Sequence, residues 1–535
     1  MSYAAYVNFF LATILSQTLV CEPVFAADEA LNWRYTVRLG DNLINFGKAH
    51  LINPDDWKVL QQLNQVKNPY QMQAGSTLNV PLKLVRQGAA EAEVMLATGD
   101  AQLENGNAFT PLSVGQKLGP GASLVTKGNS KVVIKFADGT QTSMASNSKL
   151  VLDTLSIYSG GGMVDTKLRL QQGQVETQAN PNHVIGNKMQ IITPTAIAAV
   201  RGTQFRVTAD AASLKQETLE GKVALTAAGQ EVAVDKGYGS FAEAGQAPSP
   251  PIVLLAAADT TQLSTKFDSL PVRFNMPAQA GAVAWAGKVS ADSHFNQVLA
   301  EVESAGSSID FNDIANGKYY LTVRAKDKNG LGGYDAQHTF TVKARPFAPN
   351  LVFPAKGAVV RDAQPSLQWD AVAEAKLYAV ELATDAEFKS IVTTSKVDAR
   401  SYQIGQALVP GQYFWRVASI AKDADGVEDQ GPLIHMSQFT YKARPPAPDI
   451  SQLNVKVETN RVFVHTIAPL DGMHYQVTLY NPFNKQEKVW VGADLQEAFS
   501  FLLKEYGKQV LSIVQVDADG VTGPEALYAF DAPAQ

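Results

Sequence analysis

The chain has 535 residues, with 45 basic and 51 acidic side chains that give a formal net charge of −6. This mild balance argues against nucleic acid as a partner, because nucleic-acid binding favours clustered basic residues. A hydrophobic content of 45% with 18% charged residues is typical of globular domains and not of disordered chains. The length predicts three to five domains.

Residues 1–26 are predicted to be a signal peptide. Residues 7–20 form its apolar core, and Val24-Phe25-Ala26 suits cleavage after Ala26. The only cysteine, Cys21, lies in this segment, so the mature chain would depend on apolar cores and not on disulfides. A lipid anchor on Cys21 is the alternative, although Val20 stands where such anchors favour Gly, Ala or Ser. No later apolar stretch reaches the roughly 18–20 residues that cross a bilayer.

Residues 33–82 predict a small strand–helix–helix–strand module. The alternating residues Tyr35–Leu39 indicate a strand, after which Asp41 can cap a helix over about 42–49. A second helix is predicted between Asn53 and Asn64, and a last strand follows Gly75. Residues at spacing three supply the apolar face of the second helix: Trp57, Leu60 and Leu63.

This module resembles LysM domains. The residues that carry the resemblance are Tyr35, Val37, Gly40-Asp41, Leu43, Leu63-Asn64, Asn68-Pro69, Gly75, Leu78 and Val80-Pro81. The resemblance implies binding of N-acetylglucosamine-containing glycans such as peptidoglycan and chitin. It implies a groove between two loops whose residues are Gly40, Asp41, Asn42, Leu43, Tyr70, Gln71, Met72, Gln73, Ala74 and Gly75.

Within that groove, backbone amides and carbonyls would recognise an N-acetyl group while Met72 or Leu43 packs against its methyl group. The sequence departs from the LysM pattern at Asn42, at Ile44 and at Met72-Gln73-Ala74. A LysM fold that has lost sugar binding is therefore the alternative.

The segment from residue 83 to residue 250 consists of short strands and glycine turns. Val132–Phe136 and Thr140–Met144 flank Asp138-Gly139, which predicts a hairpin. The regular spacing of such strands predicts a sandwich, a barrel or a short β-solenoid.

Within it, residues 188–207 hold two apolar runs with a break at Thr193-Pro194-Thr195 and another at Arg201-Gly202-Thr203. Pro194 cannot donate to a sheet ladder, so it marks a strand edge or a turn. Arg201 needs acceptors in this apolar setting. Its guanidinium either joins two strand ends through hydrogen bonds or contacts a partner.

Residues 88–245 resemble FecR domains. The resemblance rests on these two breaks and on residues in the family's order: Gly99-Asp100-Ala101, Leu124-Val125-Thr126, Phe136-Ala137-Asp138-Gly139-Thr140, Ser148-Lys149-Leu150, Gly173-Gln174-Val175 and Glu220-Gly221-Lys222-Val223. It implies an all-β periplasmic domain. Well-known FecR proteins also have a membrane helix and a cytoplasmic anti-sigma segment, which this sequence lacks, so regulation of a sigma factor does not carry over.

After a predicted linker at 249–261, a repeat of about 94–99 residues predicts three units at 262–345, 346–444 and 445–535, the last being the most diverged. The units resemble fibronectin type III or related immunoglobulin-like sandwiches. Each holds a D-x-[N/D]-G motif, which predicts a hairpin turn with glycine at positive φ. Glu428 and Asp429 leave a calcium site as the alternative in one repeat.

The expected fold is a mainly β multidomain protein with a small βααβ LysM module, an all-β FecR-like domain and three C-terminal β-sandwich repeats. The seven histidines are scattered and no nucleophile or phosphate-loop motif occurs, so we expect no enzyme, cofactor or metal, with a hidden glycan hydrolase as the alternative. We expect export to the periplasm or outer envelope of a Gram-negative bacterium. The predicted function is a peptidoglycan-anchored scaffold that binds unknown envelope proteins. The alternatives are a signal-transduction component with a separate membrane partner and a surface adhesin.

Overall fold

The structure is a computed structural model that describes residues 32–160, 162–180, 187–480, 488–504 and 506–533, without the side chains of 201–203 and 489–490. The predicted signal peptide and Cys21 lie outside these residues. Strands dominate the described chain, which confirms the mainly β multidomain fold. No helix of the described ranges is long and apolar enough to cross a bilayer.

The chain forms two compact units. One holds the described residues up to Thr265 together with Pro271–Asp313 and Lys318–Thr341. The other holds Lys266–Leu270, Ile314–Gly317 and the described residues from Val342 onward.

The N-terminal module has the predicted strand–helix–helix–strand order. Its elements are β1 (Asn32–Thr36), α1 (Leu43–His50), a 3-10 turn (Pro54–Asp56), α2 (Trp57–Leu63), β2 (Thr77–Pro81) and a second 3-10 turn (Leu82–Leu84). Strands β1 and β2 pair antiparallel with Tyr35 opposite Leu78. We call it the LysM-like module.

Two details of this module differ from the prediction. The cap of α1 is Asn42 and not Asp41, because the Asn42 side chain accepts a hydrogen bond from the Asn45 amide at 2.8 Å. Leu63 is 51% exposed. The next residue, Asn64, continues the inward face of α2, where its side chain bonds the backbone of Asn79 in both directions.

The FecR-like domain is built on one sixteen-stranded sheet. Its strands are β3 (Gln87–Ala89), β4 (Ala92–Thr98), β5 (Ala101–Asn105), β6 (Ala108–Pro111), β7 (Lys117–Leu118), β8 (Ser123–Thr126), β9 (Lys131–Lys135), β10 (Gln141–Met144), β11 (Lys149–Tyr158), β12 (Val164–Gln178), β13 (Lys188–Ile192), β14 (Ile197–Ala209), β15 (Ser213–Ala227), β16 (Gln230–Asp235), β17 (Tyr238–Glu243) and β18 (Ile252–Val253). The main path is β18-β17-β15-β14-β13-β12-β10-β9-β4-β7, in which only β12 and β13 pair in parallel.

Alternating residues of these strands bury one continuous apolar core. Val132 and Ile134 of β9 are fully buried, as are Phe205 and Val207 of β14. The predicted hairpin between β9 and β10 is confirmed, with Gly139 at φ +85° in its turn. The segment 249–261, predicted as a linker, begins by pairing β18 with β17, so its first part belongs to this sheet.

Each C-terminal repeat contains two sheets, as predicted. The first repeat has β19 (Lys266–Phe267), β20 (Val272–Asn275), β21 (Ala284–Ser290), β22 (Val298–Ser304), β23 (Ser308–Phe311), β24 (Gly317–Lys326) and β25 (Ala336–Val342). Strands β25-β24-β21-β22 form one sheet and β20-β23 the other. We call the repeats the first, second and third sandwich.

The second sandwich has β26 (Leu351–Phe353), β27 (Ala358–Val360), β28 (Ser366–Trp369), β29 (Leu377–Ala383), β30 (Ile391–Val397), β31 (Ser401–Gln403), β32 (Gly411–Lys422), β33 (Glu428–Gln430) and β34 (Met436–Tyr441). The third has β35 (Asn454–Glu458), β36 (Arg461–His465), β37 (His474–Tyr480), β38 (Lys488–Leu495), β39 (Ala498–Leu502), β40 (Gly507–Val516) and β41 (Ala526–Ala532). In the second sandwich one sheet has the strand order β26-β28-β31 and the other has β27-β34-β32-β29-β30. In the third sandwich the two orders are β35-β36-β39 and β38-β37-β40-β41.

Candidate functional site

The two loops that were predicted to form a sugar groove lie side by side in the LysM-like module. The Leu43 amide donates to the Pro69 carbonyl at 2.8 Å, and the Met72 amide donates to the Asp41 carbonyl at 3.3 Å. The Gly75 amide donates to the Val37 carbonyl at 2.8 Å, which fixes the end of the second loop. The structure therefore brings the ten predicted contact residues together at one edge of the module.

Within this edge, exposure differs from the prediction for two side chains. Leu43 and Met72 are 0% and 8% exposed because both belong to the core of the module, so neither is placed to pack against a sugar methyl group. Tyr70 is 74% exposed. Its neighbours along the loop, Gln71, Gln73, Ala74 and Gly75, are also exposed, as is Gly40, whereas Asp41 and Asn42 are half-buried.

The backbone of the second loop has hydrogen-bonding capacity to spare. The amides of Gln73 and Ala74 have no backbone acceptor among the described residues. Exposed amides of this kind can donate to a ligand carbonyl without first breaking a bond within the protein. Recognition at this edge would therefore rest on backbone groups and on the Tyr70 ring.

Asp41 organises the first loop from inside the module. Its carboxylate accepts from the Tyr35 hydroxyl at 2.6 Å and from the Arg38 amide at 2.7 Å. Burial, with a further contribution from the hydrogen bond to Asp41, raises the pKa of Tyr35. Asp41 thus acts as a structural acceptor within the module, and its backbone amide and carbonyl are also bonded there, to Arg38 and Met72.

The LysM-like module is docked on the FecR-like domain through a shared apolar core. Tyr158 and Met163, at the ends of the β11–β12 hairpin, are buried in one cluster with Trp33 and Phe46. His50 lies 3.2 Å from the Ser159 hydroxyl. This contact could not be predicted from the sequence, because Tyr158 and Met163 look like ordinary members of their own hairpin.

Gly160 makes this docking sterically feasible. A Cβ atom on Gly160 would lie 2.3 Å from the Cε1 atom of His50, and its φ of +76° also favours glycine. Burial lowers the pKa of His50, against an opposite pull from Asp41. The imidazole is therefore favoured in its neutral form at this contact.

The first break in the 188–207 stretch is a hairpin turn. The Thr193 amide donates to the Ala196 carbonyl at 2.9 Å, and the Thr193 hydroxyl accepts from the Ala196 amide at 3.1 Å. Pro194 and Thr195 lie at the tip between β13 and β14. The prediction of a turn at Pro194 is confirmed.

The second break is not a strand end. Strand β14 runs through Arg201, Gly202 and Thr203, with an irregularity in its pairing to β15 between Arg201 and Gln204. A bulge absorbs the extra residues while the strand continues. The side chains of 201–203 lie outside the described residues, so the predicted role of the Arg201 guanidinium stays a prediction.

The structure instead places a neighbouring arginine, Arg206, in a buried site. It is 1% exposed, and its Nη2 atom donates to the Gly333 carbonyl of the first sandwich at 2.6 Å. Across the strand pair, Glu217 accepts from the Gly332 amide at 2.9 Å. Sequence reasoning missed both, because Arg206 alternates with the core residues Phe205 and Val207 and so looks solvent-facing.

The D-x-[N/D]-G motifs form the predicted turns. In each motif the first aspartate accepts from the amides two and four residues later, and the glycine has a φ of +76°, +80° or +78°. The carboxylates named for a calcium site are held elsewhere: Glu428 accepts from Lys396 at 2.5 Å, and Asp429 pairs with Lys343. No cluster of metal-ligating residues is found in the ranges that the structure describes.

Comparison with known proteins identifies a family for one part of the chain. The family model described as FecR protein matches residues 122–224, within the sixteen-stranded sheet. The chain contains a FecR domain. The match covers β8–β14 and most of β15, and thus includes both the hairpin turn at Pro194 and the buried Arg206.

Other comparisons are weaker. No curated protein matches the chain. Among solved structures, a candidate anti-sigma factor from Parabacteroides distasonis is 12% identical, with a TM-score of 0.21, over 24% of this chain and 59% of that chain. A segment of two fibronectin type III domains from chicken tenascin is 12% identical, with a TM-score of 0.19, over 35% of this chain and 99% of that chain. These TM-scores are too low to support a conclusion about function.

Proposed function

We propose that the chain is a non-enzymatic scaffold of the bacterial cell envelope, exported and anchored through its LysM-like module to N-acetylglucosamine-containing glycan such as peptidoglycan. The observation that supports this is the convergence of the Gly40–Leu43 and Tyr70–Gly75 loops at one exposed edge. The edge offers free backbone amides beside an exposed aromatic ring, and these groups suit an acetamido group and the apolar face of a sugar.

The remaining domains would act as binding surfaces held at that anchor. The LysM-like module is not joined to the FecR domain by a flexible linker alone, because the two share an apolar core. A glycan bound at its edge would therefore fix the position of the FecR domain as well. The partners proposed for these domains are other envelope proteins.

Co-sedimentation with purified peptidoglycan sacculi tests the anchor. The protein from residue 27 onward is compared with Tyr70→Ala/Gln73→Ala, which removes exposed side chains from the second loop. The matched control, Val59→Ala/Gln62→Ala, removes exposed side chains from α2 of the same module. Deleting the module is a poorer test, because it would expose Tyr158 and Met163 of the FecR domain.

We expect the protein and the α2 control to sediment with sacculi and the loop variant to remain in the supernatant. Soluble N-acetylglucosamine oligomers should release the bound protein. If the unaltered protein stays in the supernatant, or if the loop variant and the control sediment alike, the proposed anchor is wrong.

A second candidate is a part in signal transduction, which the FecR match at 122–224 favours. In this case the chain would sense or relay a signal and a separate protein would supply the membrane segment. The two candidates separate in living cells. Loss of sacculus association in the loop variant without any change in transcript levels favours the anchor, whereas altered transcripts with sacculus binding intact favour the relay.

A further inference from the structure

A gap lined by polar side chains lies between the FecR-domain sheet and the first sandwich. Strands β9, β10, β12, β14 and β15 line it on one side, and β21, β22 and β24 line it on the other. It holds a first pocket of about 240 Å³ and a second of about 270 Å³, which share Gln174, Lys288 and Arg324 among their lining residues. Packed sheets normally bring apolar side chains together and leave few voids larger than a water molecule. A polar gap of this size has room for a small polar ligand.

On the sandwich side of the gap, the charged side chains are paired with one another. Three cations of the sandwich each form an ion pair with a carboxylate of the same sandwich, at distances of 2.7–3.0 Å: Lys288 with Glu301, Arg324 with Asp335, and Lys326 with Glu303. These pairs leave little charge on this side for a ligand to balance. The charged groups that remain in the lining belong to the FecR domain, which contributes one lysine and one glutamate to each pocket.

In the first pocket these two residues are Lys131 and Glu176. Lys131 donates to the Phe295 carbonyl at 2.7 Å, and Glu176 accepts from the Gln204 side chain at 3.0 Å. Neither forms an ion pair with any described residue. Burial lowers the pKa of Lys131, and the Glu176 carboxylate opposes that effect, so the two groups are close enough to interact. An ammonium and a carboxylate each take several hydrogen bonds, so both keep capacity for a ligand.

In the second pocket the corresponding residues are Lys215 and Glu217. Glu217 is only 3% exposed, and although it accepts from the Gly332 amide at 2.9 Å, its Oε2 atom has no hydrogen-bond partner among the described residues. The Arg206 Nε atom is 3.9 Å from Oε2, which balances the charge but is too long for a hydrogen bond. Lys215 forms no ion pair within the described chain. Because a buried acceptor without a donor is unfavourable, a donor from a ligand would stabilise this pocket.

We propose that the gap is a binding site for small zwitterions of the amino-acid class, in which Lys131 binds the carboxylate and Glu176 binds the ammonium group. An α-amino acid carries both groups on one carbon atom, so a single molecule satisfies both side chains. A simple anion would leave Glu176 open, and a simple cation would leave Lys131 open. The second pocket offers the same two groups in Lys215 and Glu217. A diaminodicarboxylic acid, which has an amino-acid group at each end, therefore uses both pockets.

Isothermal titration calorimetry on the protein from residue 27 onward tests the site. The probes are L-alanine, L-alaninamide, which lacks the carboxylate, N-acetyl-L-alanine, which lacks the ammonium group, and inorganic phosphate. We expect L-alanine to bind at least about tenfold more tightly than the other three, because each of them loses a charge-assisted contact. Diaminopimelic acid, which carries two amino-acid groups, should bind more tightly than L-alanine.

Variants assign the two ends of the ligand to their side chains. Glu176→Gln keeps the shape of the side chain and should abolish the preference for L-alanine over N-acetyl-L-alanine. Lys131→Met should abolish the preference over L-alaninamide. Lys215→Met should weaken binding of diaminopimelic acid and leave that of L-alanine unchanged. The control is Lys135→Met, which removes an exposed lysine of the same strand as Lys131 and should bind all probes as the unaltered protein does.

The proposal is overturned if L-alanine does not bind at millimolar concentration, or if phosphate or either analogue binds as tightly as L-alanine. It is also overturned if diaminopimelic acid binds no more tightly than L-alanine, or if Glu176→Gln and Lys131→Met behave like Lys135→Met. None of these substitutions lies in the LysM-like module, so sacculus binding should be the same in every variant. Failure of the zwitterion site is therefore distinguishable from failure of the proposed anchor.

Discussion

Docking of the LysM-like module depends on one ring that belongs to the FecR domain. Tyr158 is 5% exposed and packs in the same cluster as Trp33 and Phe46. A buried tyrosine removes about 150–250 Å² from water. At about 25 cal/mol per Å² the lower area corresponds to roughly 4 kcal/mol. Tyr158→Ala should therefore shift the docking equilibrium about a thousandfold, since 1.4 kcal/mol is a factor of ten.

Exchange of the Ser159 amide reports on this equilibrium, because that amide donates to the Arg86 carbonyl at 2.8 Å where module and domain meet. We expect its exchange to accelerate by up to the same factor while amides of β14 and β15 stay protected. Tyr158→Phe keeps the ring and should change little. Tyr238→Ala removes an exposed tyrosine from the same sheet and serves as the control. Unchanged exchange at Ser159 in Tyr158→Ala would refute the shared core.

Three further predictions concern other contacts. Gly523→Ala should destabilise the third sandwich by about 1–3 kcal/mol in denaturant unfolding, because its Cβ would lie 2.3 Å from the Pro445 carbonyl oxygen. Arg361→Met should loosen the third sandwich from the second and speed exchange in its D-x-D-G turn, because Arg361 binds the largely buried Asp517 at 2.5 Å. Because burial lowers the pKa of folded His50, its stabilising contribution is present above the unfolded pKa of about 6.5 and is lost as the pH falls below that value.

Each of these has a matched control. Gly405→Ala should be neutral, since nothing lies within 4 Å of the added Cβ. Arg461→Met removes an exposed arginine of the third sandwich and should leave the turn protected. His50→Gln should abolish the loss of docking between pH 7 and pH 5, measured by Ser159 exchange. If a variant and its control behave alike, the contact that the variant removes does not have the predicted effect.

Local signals in the sequence were sufficient for several turns and for the small module. Pro194 lacks an amide for a ladder bond, and Gly139 supplies a positive φ, so each turn follows from one residue. The strand–helix–helix–strand order follows from apolar periodicity and caps. The N-cap of α1 was predicted one residue too early, because Asp and Asn are equally good capping residues. The Asp41 carboxylate accepts from the Tyr35 hydroxyl instead, which leaves Asn42 as the cap.

The sequence could not indicate which surfaces are covered by another domain. Alternation along β14 correctly assigns Phe205 to the core and Arg206 to the other face. That other face looks exposed until the first sandwich is placed on it. The same holds for Tyr158, whose burial depends on residues more than 100 positions earlier. The continuity of β14 through Arg201 was also hidden, because a bulge and a strand end have the same residue pattern.

The two surfaces that hold the FecR domain differ in chemistry. The contact with the LysM-like module is apolar and aromatic, so separating it would expose Trp33, Phe46 and Tyr158 to water. In the contact with the first sandwich, the buried Arg206 donates to the Gly333 carbonyl. A small apolar cluster of Leu219, Leu254 and Leu331 lies beside this bond. If glycan holds the LysM-like module, the FecR domain is held with it.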